Sequence, residues 1–314
     1  MAVCWADSFF PVLRTIRQFP QAPIPRIPAD WGLQFPFFCI QYTIICISFI
    51  FKENYSIMRG DWQHFPRQIT PDYHPVELEL YKENGGEFNR LAISRPLSDH
   101  PGPTIVWFHG GGLTGDGREC PAELYNGVNT VVEVRYPVYP AVSTLAIIED
   151  AAAAVAWCFR HIGRLGRRET SIFVGGMSAG AYLAALTGMD ASRLAPYGID
   201  HRRIAGLMPV SGQMTTHFQV KAELGLPESP VIDALAPMGH LSADLPPVLL
   251  ITGESGLDMP GRPEENAFMA ASLRALGHPD AQHYALPGHD HGGAFDSCDY
   301  LLLKFINRIT EAQK

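Results

Sequence analysis

The chain has 314 residues, 46% of them hydrophobic and 18% charged, a globular composition with ample apolar surface for a large core. A net charge of −8, with no cluster of Lys and Arg, excludes nucleic acid as the main partner. The six cysteines (Cys4, Cys39, Cys46, Cys120, Cys158 and Cys298) show no C-x-x-C and no regular spacing. That argues against a metal site and a disulfide framework, and favours a reducing, cytoplasmic compartment.

Residues 1–57 read differently from the rest. Pro20, Pro23, Pro25 and Pro28 forbid a regular helix, and then Leu33 to Phe51 runs nineteen residues without a charge. Arg14, Arg17 and Arg26 precede that run and would hold its N-terminal side in the cytoplasm. Pro36, Gln34 and Gln41 weigh against a membrane span, and Asp7 with no basic start weighs against a cleaved signal peptide. Three readings follow: a membrane anchor through 33–51, a cap over a site, or an extension with no folded role. The third is preferred, because Met58 opens a conventional polar start. Residues 58–314 then form the main domain, with the irregular stretch 213–245 as a small cap.

From there strands and helices alternate. VELELY (76–81) has period two and predicts an edge antiparallel strand. TIVWFH (104–109) and TVVEVRY (130–136) are continuous apolar runs of buried-strand type. Residues 144–162 predict a helix whose alanine stripe and Trp157 face packing rather than a cofactor; Glu149 and Asp150 brace a neighbouring loop or face solvent. Ser171 to Val174 predicts a strand, and Ala179 to Leu186 a helix of small apolar residues. Strands at 204–212 and 246–253 precede a helix at 263–276, with Pro263 in its first turn and Gly277 past its end. A strand at 282–286 and a helix at 296–312 complete the chain. This rhythm predicts an α/β fold with a mostly parallel central sheet covered by helices on both faces. Chemistry in such sheets collects at the carboxyl ends of the strands.

Three loops at that edge stand out. Gly176-Met177-Ser178-Ala179-Gly180 is a G-x-S-x-G between strand and helix, a turn that strains a serine and exposes its hydroxyl. His109-Gly110-Gly111-Gly112 follows the 104–109 strand, and its backbone N–H groups, with that of Ala179, suit an oxyanion. A phosphate cradle would need G-x-G-x-x-G or a GK[ST] ending, and neither is present. LPGHDHGG carries His289 and His291 as candidate bases. His291 is favoured, because Gly292 and Gly293 would relieve crowding around an inward-pointing ring. His289, directly after the strand, would shape the turn. His217 and His240, in the irregular stretch, read as surface residues. No compact His/Cys/Asp cluster suggests a metal, and no cofactor is expected.

FHGGG, YPVYPA…IIEDAAAAVAWC, GGMSAGAYLAAL and LPPVLLITG stand in the order found in the esterase branch of the α/β-hydrolase superfamily. Over residues 75–314 the chain resembles that branch, the hormone-sensitive-lipase-like and feruloyl-esterase-like relatives with an HGGG loop. The resemblance implies a triad in the order serine, acid, histidine: Ser178, then Asp258, then His291. Relatives most often carry the acid three residues after the strand-ending glycine, where this chain has Gly256. Asp258 is the next choice and Glu254 the alternative. Met177 replaces the acidic residue usual before the nucleophile, so the branch's pocket features are not carried over. The expected activity is hydrolysis of small carboxylic esters through an acyl-enzyme, with Gly110, Gly111 and Ala179 as the oxyanion hole. The alternatives are an arylformamidase-type amide hydrolase and a non-catalytic ligand-binding homologue.

Overall fold

A computed structural model describes residues 72–98, 102–115, 117, 120–165 and 171–313. The apolar run 33–51 and every reading of residues 1–57 lie outside them. All the described residues belong to one compact unit, His64–Lys314.

Eight strands form one sheet in the order β1-β2-β4-β3-β5-β6-β7-β8. They are β1 (Glu77–Leu80), β2 (Arg90–Ser94), β3 (Thr104–Phe108), β4 (Thr130–Val134), β5 (Ile172–Met177), β6 (Gly206–Val210), β7 (Val248–Gly253) and β8 (Ala281–Leu286). β2 pairs antiparallel with β1 and β4, and every later neighbour pair is parallel. β1 is the predicted edge strand, its residues alternating between half-buried and exposed. β3, β5, β6 and β7 are buried along their whole length, which is why they read as unbroken apolar runs rather than alternating ones.

Among the described residues, seven α-helices connect or cover the strands: α1 (Thr144–Arg160), α2 (Ala179–Met189), α3 (Ala191–Leu194), α4 (Phe218–Leu224), α5 (Arg262–Ala275), α6 (His291–Asp296) and α7 (Asp299–Ala312). The core splits into two clusters, one on each face of the sheet. Val106, Val174, Leu207 and Leu250 meet α1, α2 and α5 on one face. Ile105, Phe173, Met208 and Ile251 meet Leu302, Phe305 and Ile306 of α7 on the other. Successive strand residues point to opposite faces, so each buried strand feeds both clusters. The alanine stripe of α1 is buried, as the packing reading expects. Asp150, also buried, accepts hydrogen bonds from Lys82 and from Asn89 Nδ2, the latter at 2.7 Å, and so braces the β1–β2 turn.

Two elements depart from the sequence expectation. β2, RLAIS, was not foreseen; its single polar start and short apolar run carry no turn signal that separates it from a loop. The final helix begins at Asp299, and a separate short helix, α6, precedes it. The 213–245 stretch contains α4 and a 3₁₀ turn at Pro237–His240. His217 within it is not a surface residue: it is fully buried, with its ring 5.2 Å from Tyr182 and 4.3 Å from Phe218.

Candidate active site

Ser178 stands between β5 and α2 with φ 56° and ψ −114°, a conformation that L-residues adopt only under constraint. Its N–H is held by the Val210 carbonyl at 2.8 Å, and its own carbonyl accepts from Tyr182 N–H. The flanking glycines let β3 and α2 meet. A methyl at Gly180 would lie 2.1 Å from the Phe108 carbonyl oxygen, and one at Gly176 would lie 2.5 Å from the Gly180 carbonyl carbon. Neither position tolerates a side chain.

The candidate oxyanion loop packs on this elbow. A methyl at Gly110 would come within 3.3 Å of Ser178 Cβ and 3.2 Å of the Met177 carbonyl, so the loop backbone lies against the serine. Gly111, Gly112 and Leu113 all have positive φ, and the Gly111 carbonyl accepts from Thr114 and Gly115 N–H to close the turn. Among the described residues, no acceptor takes the N–H of Gly110, Gly111 or Ala179. Tyr136 fixes the start of the loop: its hydroxyl donates to the His109 carbonyl at 2.7 Å, and its ring stacks on the His109 imidazole at 4.1 Å. Burial pushes the His109 pKa down to about 4, so the ring is neutral and its Nδ1–H donates to the Gly110 carbonyl at 2.8 Å.

Asp258 and His291 meet at 2.6 Å, His291 Nδ1–H donating to Asp258 Oδ1. The Asp258 side chain is wholly buried and His291 keeps 26% of its side chain exposed. Four donors converge on the carboxylate. Besides His291, Met259 N–H reaches Oδ1 at 2.7 Å, while Ser211 Oγ–H and Gly253 N–H reach Oδ2 at 2.7 and 2.8 Å. Burial alone would raise the Asp258 pKa, but these hydrogen bonds outweigh it and hold the carboxyl at about 2. With Nδ1 protonated toward an anion, neutral His291 presents Nε2 as a lone pair.

The two-residue displacement of the acid has a local cause. Leu257 and Asp258 N–H both donate to the Glu254 carbonyl, and Gly256 in the left-handed region (φ 86°) turns the chain back. Glu254 itself is engaged elsewhere. Its Oε2 accepts from Gly288 N–H at 2.6 Å, and its N–H donates to the His289 carbonyl, so it ties the β7 loop to the β8 loop. His289 is likewise committed: Nδ1 donates to the Pro287 carbonyl at 2.8 Å, and Nε2 lies 2.9 Å from the Ser297 hydroxyl.

His291 opens α6, capped by Asp290, whose Oδ1 accepts from Gly293 N–H at 2.7 Å. Gly293 is part of that cap. A methyl at Gly293 would approach Asp290 Oδ1 at 3.2 Å and His289 Cδ2 at 3.3 Å, so this glycine accommodates the cap and His289.

Two positioning residues escaped the sequence reading. Ser211, at φ 47° just past β6, orients Asp258 through its hydroxyl; a serine ending an apolar strand is its one visible signal. Glu265 on α5 accepts from Met214 N–H, Thr215 N–H and Thr215 Oγ–H at 2.8, 3.1 and 2.9 Å, which anchors the segment after β6. Among the described residues no group of His, Cys, Asp and Glu could hold a metal ion.

A strained serine elbow beneath a glycine loop, with a carboxylate–imidazole pair at the same end of a mostly parallel eight-stranded sheet, is the arrangement of the α/β-hydrolase fold. The chain is similar to proteins of that fold over part of its length: a family model described as alpha/beta hydrolase fold matches residues 105–229. It is 27% identical over 240 residues to the esterase LipQ of Mycobacterium tuberculosis, covering 68% of this chain and 55% of that protein. It is 32% identical over 142 residues to the esterase LipI of the same organism, covering 43% and 44%. The chain thus spans about half the length of these relatives. A propionate-bound esterase from Thermogutta terrifontis superposes with a TM-score of 0.60 at 21% identity, over 79% of this chain and 95% of that one. Esterase B from Lactobacillus rhamnosis superposes at 0.65 with 17% identity, over 86% and 97%. Among the described residues, no helix is long and apolar enough to cross a membrane.

Proposed function

We propose that the protein is a serine hydrolase of small carboxylic esters. The observation that carries this reading is the 2.6 Å Asp258–His291 hydrogen bond at the sheet edge where the strained Ser178 packs against Gly110. Ser178 Oγ attacks the ester carbonyl carbon while His291 Nε2 takes the hydroxyl proton. The carbonyl oxygen becomes an oxyanion and accepts the N–H groups of Gly110, Gly111 and Ala179. The bond to the alcohol oxygen then breaks, and His291 delivers its proton to the leaving alcohol. Water, deprotonated by the same imidazole, cleaves the acyl-serine and restores the enzyme. Asp258 holds the imidazole in the required tautomer and stabilises the imidazolium. Ser178 Oγ makes no hydrogen bond to a described residue; such contacts are often long before substrate binds and tighten in the complex.

The relatives support an ester substrate. LipQ and LipI are named esterases, and the Thermogutta enzyme is described with propionate bound and as phosphonylated by sarin. The test is hydrolysis of p-nitrophenyl acetate and butyrate beside an aryl formamide, with a fluorophosphonate label mapped by mass spectrometry. Ester turnover with the label on Ser178 is expected. Formamide turnover without ester turnover would move the assignment to an amide hydrolase. A folded protein that turns over neither substrate and takes no label would place it among ligand-binding homologues.

A further inference from the structure

We propose that Phe218 is the wall that limits acyl-chain length, so that the preferred substrates are esters of short-chain acids. The inference rests on the serine-esterase reading and deepens it. Phe218 opens α4 and keeps 42% of its surface exposed, yet its ring tip lies 3.3 Å from where a methyl on Gly112 would stand. A large aromatic ring thus rests on the third glycine of the oxyanion loop.

The ring is held in place. Phe218 N–H donates to Gln213 Oε1 at 3.0 Å, and the buried His217 imidazole packs on its ring at 4.3 Å. Gln219 N–H donates to His217 Nδ1 at 3.2 Å, and the other face of α4 is tied to α1 by Glu223, which accepts from Thr144 N–H and Oγ–H at 2.7 and 2.6 Å.

The sheet order shows which part of the substrate meets this wall. Ser178 follows β5; Gly112 follows β3 on one side of it, and Asp258 and His291 follow β7 and β8 on the other. The leaving alcohol must take its proton from His291, so it lies on the β7–β8 side. The acyl chain, on the opposite substituent of the tetrahedral carbon, is directed to the β3 side, over Gly112 and toward Phe218. In this arrangement a lengthening acyl chain meets the ring.

The experiment measures kcat/KM for p-nitrophenyl esters of C2 to C8 acids on the full chain, with Phe218→Ala and Phe218→Trp. A second series varies the alcohol of acetate esters. The wild type should favour C2 to C4 acids. In Phe218→Ala the hexanoate-to-acetate ratio should rise about tenfold or more, the scale on which pockets discriminate methylenes. In Phe218→Trp it should fall, and the alcohol series should keep its order in both. Phe218→Trp retains an aromatic ring for His217 to pack on, so the reading survives if the alanine variant folds poorly. An unchanged acyl ratio, or a shift in the alcohol series instead, overturns the assignment of the wall while esterase activity stands. A wild type that hydrolyses no ester overturns the esterase reading and this inference with it.

Discussion

Ser178 is costly to hold in place. A non-glycine residue at φ 56° stores on the order of 1–3 kcal/mol, sustained here by the Val210 hydrogen bond and the packing of β3 against α2. Ser178→Ala should therefore keep the fold and lose kcat by several powers of ten, whereas Ser178→Gly should lose activity and also melt higher, by about 1 kcal/mol. Equal melting of the two variants would show that the backbone there is not strained. Asp258→Asn should disturb the imidazole tautomer and cost about 10⁴ in kcat. Glu254→Gln should cost far less, because its oxygen receives a loop N–H rather than an imidazole. His291→Ala should be far more damaging than His289→Ala, whose two nitrogens are spent on Pro287 and Ser297. The reverse order in either pair would reassign that role.

At the scale of elements, the Ser178 elbow depends on the closeness of α2 to β3. Gly180→Ala drives a methyl into two backbone carbonyls, at 2.1 Å from Phe108 O and 2.3 Å from His109 O, and backbone cannot rotate away as a side chain can. Loss of soluble folded protein, or destabilisation of 3 kcal/mol or more (about the upper range of overpacking), is the expected outcome. A folded, active Gly180→Ala protein would mean that α2 can shift relative to β3. The Glu223–Thr144 contact joins α4 to the start of α1, adding an acceptor to a helix N-terminus whose Ser143 hydroxyl already accepts from Ala146 N–H. Glu223→Gln should cost on the order of 1 kcal/mol in urea unfolding, in the range of a lost cap.

For the whole molecule, the buried Asp258 carboxylate links stability to pH. Its folded pKa of about 2 lies below the ordinary value of 3.8, so the stability it contributes is complete above that ordinary value. It is lost as pH falls through 4 toward 2, and amounts to on the order of 2 kcal/mol. Comparing urea unfolding of wild type and Asp258→Asn from pH 6 to pH 3 should show the wild type losing more stability. Parallel curves would show that Asp258 carries no such linkage. Within the described residues, eight strands and two core clusters build one compact unit. A protein beginning at Met58 should accordingly unfold cooperatively and hydrolyse short esters, and aggregation or inactivity would make residues 1–57 part of the working unit.

Much of this was legible in the linear chain. β3, β5, β6 and β7 announce themselves because strands buried on both faces need unbroken apolar runs, and the G-x-S-x-G announces the elbow because only tiny residues fit where two backbones touch. Those are local requirements, written in adjacent residues. The pairing of carboxylate with imidazole is not local. The sequence prefers Asp258 but leaves Glu254 as an alternative, and only the turn at Gly256 brings the first beneath His291 while the second is committed to Gly288. β2 was missed for a similar reason, since RLAIS becomes a strand by pairing with β1 and β4 rather than by its own pattern. His217 reads as a polar surface residue until Tyr182 and Phe218 enclose it, and nothing near Phe218 in the chain points to Gly112, more than a hundred residues away. Backbone constraint and hydrophobic burial are encoded by neighbours in the chain; side-chain partnership across loops exists only once the sheet has set those loops side by side.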